Sequence, residues 1–233
     1  MTNITLKEKE KSVLEYTEFS DVNLDLFEGS NLLLKLANFG ENKEIKITGK
    51  IRKNASLAVV FADFSSGNTH ILSKIDLVEE GASCDWHLAT LSNKKDNKIF
   101  DISFIHLVGK TTASMDNYGV ARDESKILFT GVNHIVKNAK NSNTKQNAKI
   151  IVFDKAASGV ASPILKIDEN EVQASHGAIV GQLNSDHMFY LMSRGLTRDE
   201  ARMIITLGYL KPVSNQFSEQ VQLKIENVIK EAM

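Results

Sequence analysis

Short segments in which apolar and polar residues alternate follow one another along most of the chain, and they constrain the fold more than any other feature. The first runs lie around Leu24, Leu34 and Ile47. Later runs are centred near Val59, Ile71, Trp86, Ile102, Met115, Phe129, Ile151 and Leu165. A period of two is typical of a strand with one buried face. No long helical pattern separates the segments, so we expect either a β-sandwich or a β-solenoid.

The turns between these segments favour the solenoid only weakly. They are rich in Ser, Asn and Gly, as in Ser65–Asn68, Asn93–Asn97 and Asn138–Asn143. Two-residue hairpins prefer Asn-Gly or Asp-Gly, and neither dipeptide occurs in the chain. A parallel solenoid needs no hairpins, but the pattern alone leaves the sandwich open.

From Asn184 onward the apolar period becomes helical. Met188, Leu191 and Met192 form one stripe, which Asn184 or Ser185 can cap and Gly195 can end. Thr197–Glu200 has the form of a capping box for a second helix, expected to end near Leu210 before Pro212. A third stripe runs from Phe217 to Ile229. We therefore predict a leader over residues 1–21, a β core over 22–183 and a helical region over 184–233.

Composition excludes several classes of protein. The net charge of −1 offers no basic footprint for nucleic acid or an anionic membrane. No apolar run approaches the roughly 20 residues that span a bilayer, and the polar start is unlike a secretory signal. Cys84 is the single cysteine, so an internal disulfide and a multi-cysteine zinc site are excluded. We expect a cytoplasmic protein that binds neither nucleic acid nor membrane.

The segment Ala174–Arg202 resembles the C-terminal signature of the SufB/SufD family of iron–sulfur cluster assembly scaffolds. The matching residues are His176-Gly177-Ala178, Gly181, Phe189-Tyr190-Leu191, Ser193-Arg194-Gly195 and Glu200-Ala201-Arg202. Gly177 favours the SufD branch, because SufB typically has Glu there. Ala174 departs from the family, which frequently has Cys at that position. Weaker similarity in His106–Ser114, Lys126–Gly131 and Pro163–Ile167 extends the resemblance back to about Lys98.

The resemblance implies a right-handed parallel β-helix capped by a small helical region. It also implies a non-catalytic scaffold that binds a SufC-type ATPase and pairs with a SufB-type scaffold or with itself as a homodimer. A transient iron–sulfur cluster would form in the complex, and no cofactor would be tightly bound in isolation. Family members usually carry a further helical region before the β-helix, so the chain is similar to a short, core-only member. A β-solenoid carbohydrate-active enzyme is the alternative, although no exposed ladder of Asp, Arg and Lys is visible.

His176 is the candidate metal ligand. The resemblance places it near the interface where a cluster forms, and neutral imidazole can bind iron. Equally, it could be a structural histidine that fixes the last coil by a hydrogen bond. Asp168, Glu169 and Glu171 could assist iron binding, but a solvated acidic turn is the commoner role. For Cys84 we expect burial as a small apolar residue, and for His106 and His134 positions at coil corners.

Two further sets of residues complete the expected sites. The glycines Gly177 and Gly181 indicate a positive φ or a close approach by another chain. Residues of the helical region are candidates for binding the ATPase, namely Met188, Phe189, Tyr190, Arg194, Gly195, Glu200 and Arg202. Alternatively, the apolar members of this region pack on the end of the solenoid, which must be covered or paired. Self-association is expected through the edges near Lys149 to Gly181.

Overall fold

The computed structural model describes all residues from Met1 to Met233 and contains fourteen strands followed by three helices. The strands are β1 (Thr2–Leu6), β2 (Lys11–Tyr16), β3 (Val22–Leu26), β4 (Asn31–Asn38), β5 (Glu41–Ile51), β6 (Ser56–Asp63), β7 (Ser66–Leu77), β8 (Ser83–Ser92), β9 (Asn97–His106), β10 (Thr112–Ala121), β11 (Lys126–Ile135), β12 (Asn143–Val152), β13 (Ser158–Ile167) and β14 (Gln173–Gln182). The helices are α1 (Ser185–Ser193), α2 (Arg198–Ser214) and α3 (Glu219–Glu231).

The strands form two seven-stranded sheets in which every pair is parallel. Sheet A has the order β1-β3-β5-β7-β9-β11-β13, and sheet B has the order β14-β12-β10-β8-β6-β4-β2. Each coil therefore adds one strand to each sheet, as in a parallel β-helix. This confirms the predicted solenoid and excludes the sandwich, whose strands are antiparallel.

Inward-facing side chains stack in register from coil to coil. One row in sheet B runs Val59, Trp86, Met115, Gln146 and His176 on successive strands. The first four of these side chains are buried between the sheets. A cluster of 34 buried apolar residues fills this interior. Each such side chain contributes roughly 1.5–3 kcal/mol by leaving water, so the alternation seen in the sequence also provides the main stabilisation.

The solenoid begins earlier than the sequence suggested. Residues 1–21, expected to be a leader, contain β1 and β2, which form the first coil. Ile4 and Leu6 are buried in the interior, and Lys9 makes the turn with a φ of 59°. The apolar run of β1 has only two inward positions, too few for an alternation to be recognised from the sequence.

One corner of the solenoid repeats the same left-handed turn. The residues with positive φ at this corner are Lys9, Gly29, Asn54, Gly81, Lys110 and Asn141. Each donates its N–H to a carbonyl of the following coil, as from Lys110 to Lys140 at 2.8 Å. Gly and Asn tolerate this conformation better than other residues do. The turn residues in the sequence therefore set the stacking of the coils.

A fully buried ion pair lies at another corner, where β6 passes into β7. Lys98 Nζ donates to Asp63 Oδ2 at 2.8 Å and to the Ser65 carbonyl oxygen at 2.8 Å. Asp63 also accepts hydrogen bonds from Asn38, Ser65 and Thr90. Both charged side chains have no solvent exposure. The corner is thus held by a polar network in which each charge has several partners.

Helices α2 and α3 pack on the outer face of sheet B and leave the end of the solenoid open. Their buried side chains are Leu210, Val213, Phe217, Val221, Ile225 and Ile229, and they meet outward-facing residues of sheet B such as Val60, Ala62, Ala89 and Leu91. Of the two readings given for the helical side chains, packing on the solenoid end is therefore not observed for the buried residues of α2 and α3. None of the three helices has the length and apolar character needed to cross a membrane.

The caps of α1 and α2 agree with the sequence expectations, whereas the end of α2 does not. Asn184 accepts from the N–H groups of Asp186 and His187 at the start of α1, and Gly195, with a φ of 95°, follows its end. The capping box between Thr197 and Glu200 is present. However, α2 continues through Pro212 to Ser214, because the burial of Leu210 and Val213 on sheet B outweighs the loss of one N–H donor.

The tail of the chain returns to the first coil. Ser218 donates to the Glu15 carboxylate of β2 through its N–H and its hydroxyl. Farther along α3, the Lys224 ammonium lies 4.2 Å from the ring centre of Phe39. These contacts place the first half of α3 across the early strands of sheet B, and Met233, just after its end, contacts Arg122 beside β10.

Candidate functional site

The last coil, formed by β13 and β14, has no neighbour on its outer side. Ile167 occupies an inward-facing position of β13, opposite buried Ile135, and is nevertheless exposed, at 37% of its full accessible area. Val180 occupies an inward-facing position but remains exposed, because no further coil covers it. An uncovered row of backbone groups beside apolar side chains is a surface suited to another strand.

His176 lies in the centre of this open end. It continues the inward row from Gln146, so its imidazole belongs to the interior layer, yet the residue is exposed. The His176 side chain makes no hydrogen bond within the chain, and the choice between a ligand role and a structural role stays a prediction. An exposed imidazole without an internal partner is free to contact a group supplied from outside the chain.

Gly177 and Gly181 both follow His176 in β14, and neither has a positive φ. The φ expectation is wrong, because β14 is a regular strand without a bulge at these residues. A Cβ atom at Gly181 would meet nothing within 4 Å, so no contact inside the chain requires the glycine. A close approach by a second chain remains the prediction for these positions.

Each of the three acidic residues after β13 has a structural partner. Asp168 Oδ2 lies 2.8 Å from His134 Nε2, and this hydrogen bond lowers the pKa of Asp168. The Glu171 carboxylate accepts from Lys140 Nζ at 2.7 Å. Glu169 is buried and accepts from three backbone N–H groups, the nearest in the sequence being Asn170, which lowers its pKa. No group of three or more His, Cys, Asp or Glu side chains in the chain is arranged to hold a metal ion.

Cys84 and His106 are interior residues. Burial of Cys84 among apolar side chains of β8 raises the pKa of its thiol well above the ordinary value, so the thiol is a poor ligand and nucleophile. His106 ends β9 and shares a hydrogen bond of 2.8 Å between its Nδ1 and Thr111 Oγ1. Burial, assisted by the charge of His134, lowers the pKa of His106 to about 4. Both residues match the structural roles expected for them.

The helical candidates lie on α1, a helix without any buried residue, and on the first turns of α2. Met188, Phe189 and Arg202 line a groove of about 340 Å³ between α1, the start of α2 and the end of the solenoid. Tyr190 and Arg194 do not line it; the Arg194 guanidinium instead lies 5.2 Å from the ring centre of Tyr190. Gly195 ends α1 and Glu200 caps α2, so these two residues position the helices rather than offer side chains to a partner.

Arg202 is engaged within the chain. Its Nη2 donates to Asp154 Oδ1 at 2.8 Å, and its guanidinium lies 5.4 Å from the ring centre of Phe153. Burial opposes ionisation of Asp154, yet hydrogen bonds from the Asp123 N–H and from Arg202 hold its pKa below the ordinary value. This pair joins α2 to the end of β12 and fixes the groove's floor.

Sequence reasoning does not identify four other residues of the groove, namely Phe153, Leu183, Met192 and Arg198. Phe153 and Leu183 each follow a strand and look like ordinary turn residues. Arg198 opens α2 within the capping box and would normally be considered only a solvated first-turn residue. Met192 was part of the helical stripe, but nothing in the stripe indicates which surface it faces.

The family model described as "SUF system FeS cluster assembly, SufBD core domain" matches residues 37–209. The chain belongs to the SufBD family. This SufBD chain is 30% identical over 166 residues to the iron–sulfur cluster assembly protein SufD of Bacillus subtilis, covering 71% of the chain and 38% of that relative.

Other relatives of this SufBD chain are more distant. An iron–sulfur cluster assembly SufBD family protein of Mycobacterium bovis is 22% identical over 196 residues, which are 83% of the chain and 23% of the relative. One from Staphylococcus saprophyticus is 21% identical over 180 residues, which are 77% of the chain and 39% of the relative. The chain thus spans well under half the length of the curated relatives it matches. Family membership favours iron–sulfur cluster assembly over the carbohydrate-active alternative.

Proposed function

We propose that this chain is a non-catalytic, cytoplasmic scaffold subunit of the SUF machinery, of the SufD kind, that pairs through the open end of its solenoid. The partner is a SufB-type scaffold or a second copy of the chain. The observation that carries the proposal is the uncovered last coil, where inward-facing residues such as Val180 meet water. Pairing two such ends would satisfy the edges of β13 and β14 and bury their apolar side chains.

His176 is the ligand that this chain would contribute to a cluster built at that interface. Iron–sulfur clusters are generally held by about four ligands, mostly thiolates. Cys84 cannot be one of them from its position in the core, three coils away along sheet B. The remaining ligands must therefore come from the partner, and the cluster is cargo that exists only in the complex. No tightly bound cofactor is expected in the isolated chain.

The helical region from Ser185 to Lys211 is the proposed docking site for a SufC-type ATPase. The caps of α1 and α2 make this region a preformed unit, which reduces the ordering cost of binding. Phe189, 74% exposed, and Tyr190, 59% exposed, present most of their rings to solvent on α1. Exposed aromatic residues next to Arg are the composition enriched at interface hot spots.

Pairing and cluster formation are tested by reconstitution with a SufB-type scaffold and a SufC-type ATPase. The mass of the purified complex reports pairing, and iron content with thermal melting on the same samples reports the role of His176. We expect His176→Ala to keep the melting midpoint and to lower the iron bound per complex, whereas the control His70→Ala, in β7 and away from the last coil and the docking helices, should keep its iron content. Unchanged iron content in His176→Ala would refute the ligand role, and failure of the chain to enter any complex would refute the scaffold role.

ATPase docking is tested by calorimetric titration with point variants. Truncation after Leu183 is unsuitable, because it removes the apolar side chains of α2 and α3 that cover sheet B. Arg194 contributes its backbone N–H to the end of α1, so Arg194→Ala leaves this cap in place. The substitution should weaken binding by about 1–3 kcal/mol if Arg194 is a hot spot. Lys230→Ala on exposed α3 is the control, and equal affinity of Arg194→Ala, Tyr190→Ala and wild type would contradict the assignment.

A further inference from the structure

The groove beside α1 combines apolar walls with a volume that the chain itself does not fill. Its apolar lining consists of Phe153, Leu183, Met188, Phe189 and Met192, and its volume is about 340 Å³. This lies at the lower end of the range for ligand pockets, so the groove has room for a bulky side chain rather than a whole helix. Two of these five apolar residues are Met, whose flexible thioethers adapt to differently shaped apolar partners.

The charge at the groove is unbalanced. Arg198 and Arg202 line it, and no acidic residue does. Asp154 forms an ion pair with Arg202, whereas Arg198 is exposed and has no carboxylate within ion-pair distance. The Arg202 Nε also lacks a hydrogen-bond partner, although it is buried. The groove therefore offers one uncompensated guanidinium next to an apolar cavity.

We propose that this groove binds a segment of the ATPase in which a bulky apolar side chain is followed closely by a carboxylate. The apolar side chain enters between α1 and Phe153, and the carboxylate pairs with Arg198. Arginine and carboxylate form paired hydrogen bonds of defined geometry, so this contact would fix the orientation of the partner segment. The inference rests on the proposed docking of the ATPase and adds the groove, with Arg198, as the determinant of what is recognised.

The groove is separate from the Tyr190 and Arg194 surface of α1, so the two can be tested independently. The probe is the purified SufC-type ATPase, titrated calorimetrically into the full chain. Met188→Ala should weaken binding about tenfold, and Arg198→Glu should weaken it by more than tenfold, because the replacement repels the partner carboxylate. Lys230→Glu, the same charge change at an exposed position of α3 outside the groove and outside the Ser185–Lys211 region, should bind like wild type.

Folding of the variants is checked by thermal melting. Glutamate is favourable in the first turn of a helix, so Arg198→Glu should keep the melting midpoint of wild type. A photo-crosslinking residue at Met188 should label an ATPase peptide that contains a bulky apolar residue beside Asp or Glu. A labelled peptide without this combination would contradict the proposed recognition.

The outcomes separate this inference from the docking proposal. Weaker binding by Arg194→Ala with unchanged affinity of Met188→Ala and Arg198→Glu would overturn the groove and retain the docking site. Absence of binding by wild type would overturn both. Loss of affinity in Lys230→Glu equal to that in Arg198→Glu would show a general charge effect and would also overturn the role of the groove.

Discussion

The buried pair of Asp63 and Lys98 provides a quantitative test of how the solenoid corner is stabilised. Lys98→Met keeps most of the side-chain volume but removes the charge that faces the Asp63 carboxylate. Asp63 would retain its hydrogen bonds from Asn38, Ser65 and Thr90, all of which are neutral donors. The carboxylate would remain in an interior from which water is excluded.

Removing one partner of a buried ion pair typically costs 3–5 kcal/mol, because the other charge remains uncompensated. We expect a value in this range for Lys98→Met, with the three remaining donors keeping it near the lower limit. For a domain of this size, each kcal/mol lowers Tm by about 2–4 °C, so a fall of about 10 °C is expected. The double variant Asp63→Asn/Lys98→Met should be less destabilised than the sum of the single variants, because it leaves no isolated charge.

Denaturant unfolding followed by circular dichroism measures these differences on the full chain. Lys140→Met, which removes an exposed partner of Glu171, is the matched control and should show no measurable change. A loss below about 1 kcal/mol for Lys98→Met would refute the reasoning, as would strict additivity of the two single variants.

Three further predictions concern other buried groups. Because the pKa of folded His106 is lowered to about 4, the unfolded chain binds this proton first, and stability should fall by up to about 3 kcal/mol between pH 6.5 and 4. His106→Gln should flatten that part of the stability profile, and an unchanged profile would contradict the assignment. The Cys84 thiol should resist a thiol-labelling reagent in the native state and react fully in denaturant; rapid native labelling would show that it is accessible. Ile225→Ala should cost about 2–5 kcal/mol of unfolding free energy by opening a cavity between α3 and sheet B, whereas exposed Leu223→Ala should cost much less; equal effects would contradict the observed packing.

The strands are predictable because apolar and polar residues alternate along them in step with the buried and exposed positions of this fold. Every predicted segment from Val59 to Leu165 falls within a strand. The choice between solenoid and sandwich was not available from the pattern, since both architectures bury alternate residues. The family resemblance favours the solenoid, and the parallel pairing of all strands confirms the solenoid.

The sequence expectations do not specify which surface α2 and α3 cover, although the sequence carries a signal for it. Val59, Val60, Phe61 and Ala62 are consecutive apolar residues, and all four are buried. Such a run breaks the alternation and indicates a strand covered on both faces. The second cover is α2 and α3, whose apolar stripes are visible in the sequence but carry no information on the surface they meet.

The candidate site was predictable only in part. His176 was identified through the family motif, but its exposure depends on the absence of a coil beyond β14, which no local pattern reveals. The proposed role of Arg198 cannot be predicted from the sequence. It depends on the absence of a nearby carboxylate, which is a property of the tertiary structure. Pairing of Asp168 with His134 likewise joins residues 34 positions apart.

The return of α3 to the first coil gives the folding of this chain a definite order. Coils of a solenoid contact only their neighbours and can form successively from the first onward. The contact between Glu15 and Ser218, however, joins residues 203 positions apart, and the outer apolar row of sheet B is complete only when α3 docks. During synthesis this row therefore stays in contact with water until α3 has left the ribosome, and long-range contacts of this kind form slowly. Chaperone dependence during synthesis, rather than afterwards, is the expected consequence of a solenoid closed by its own tail.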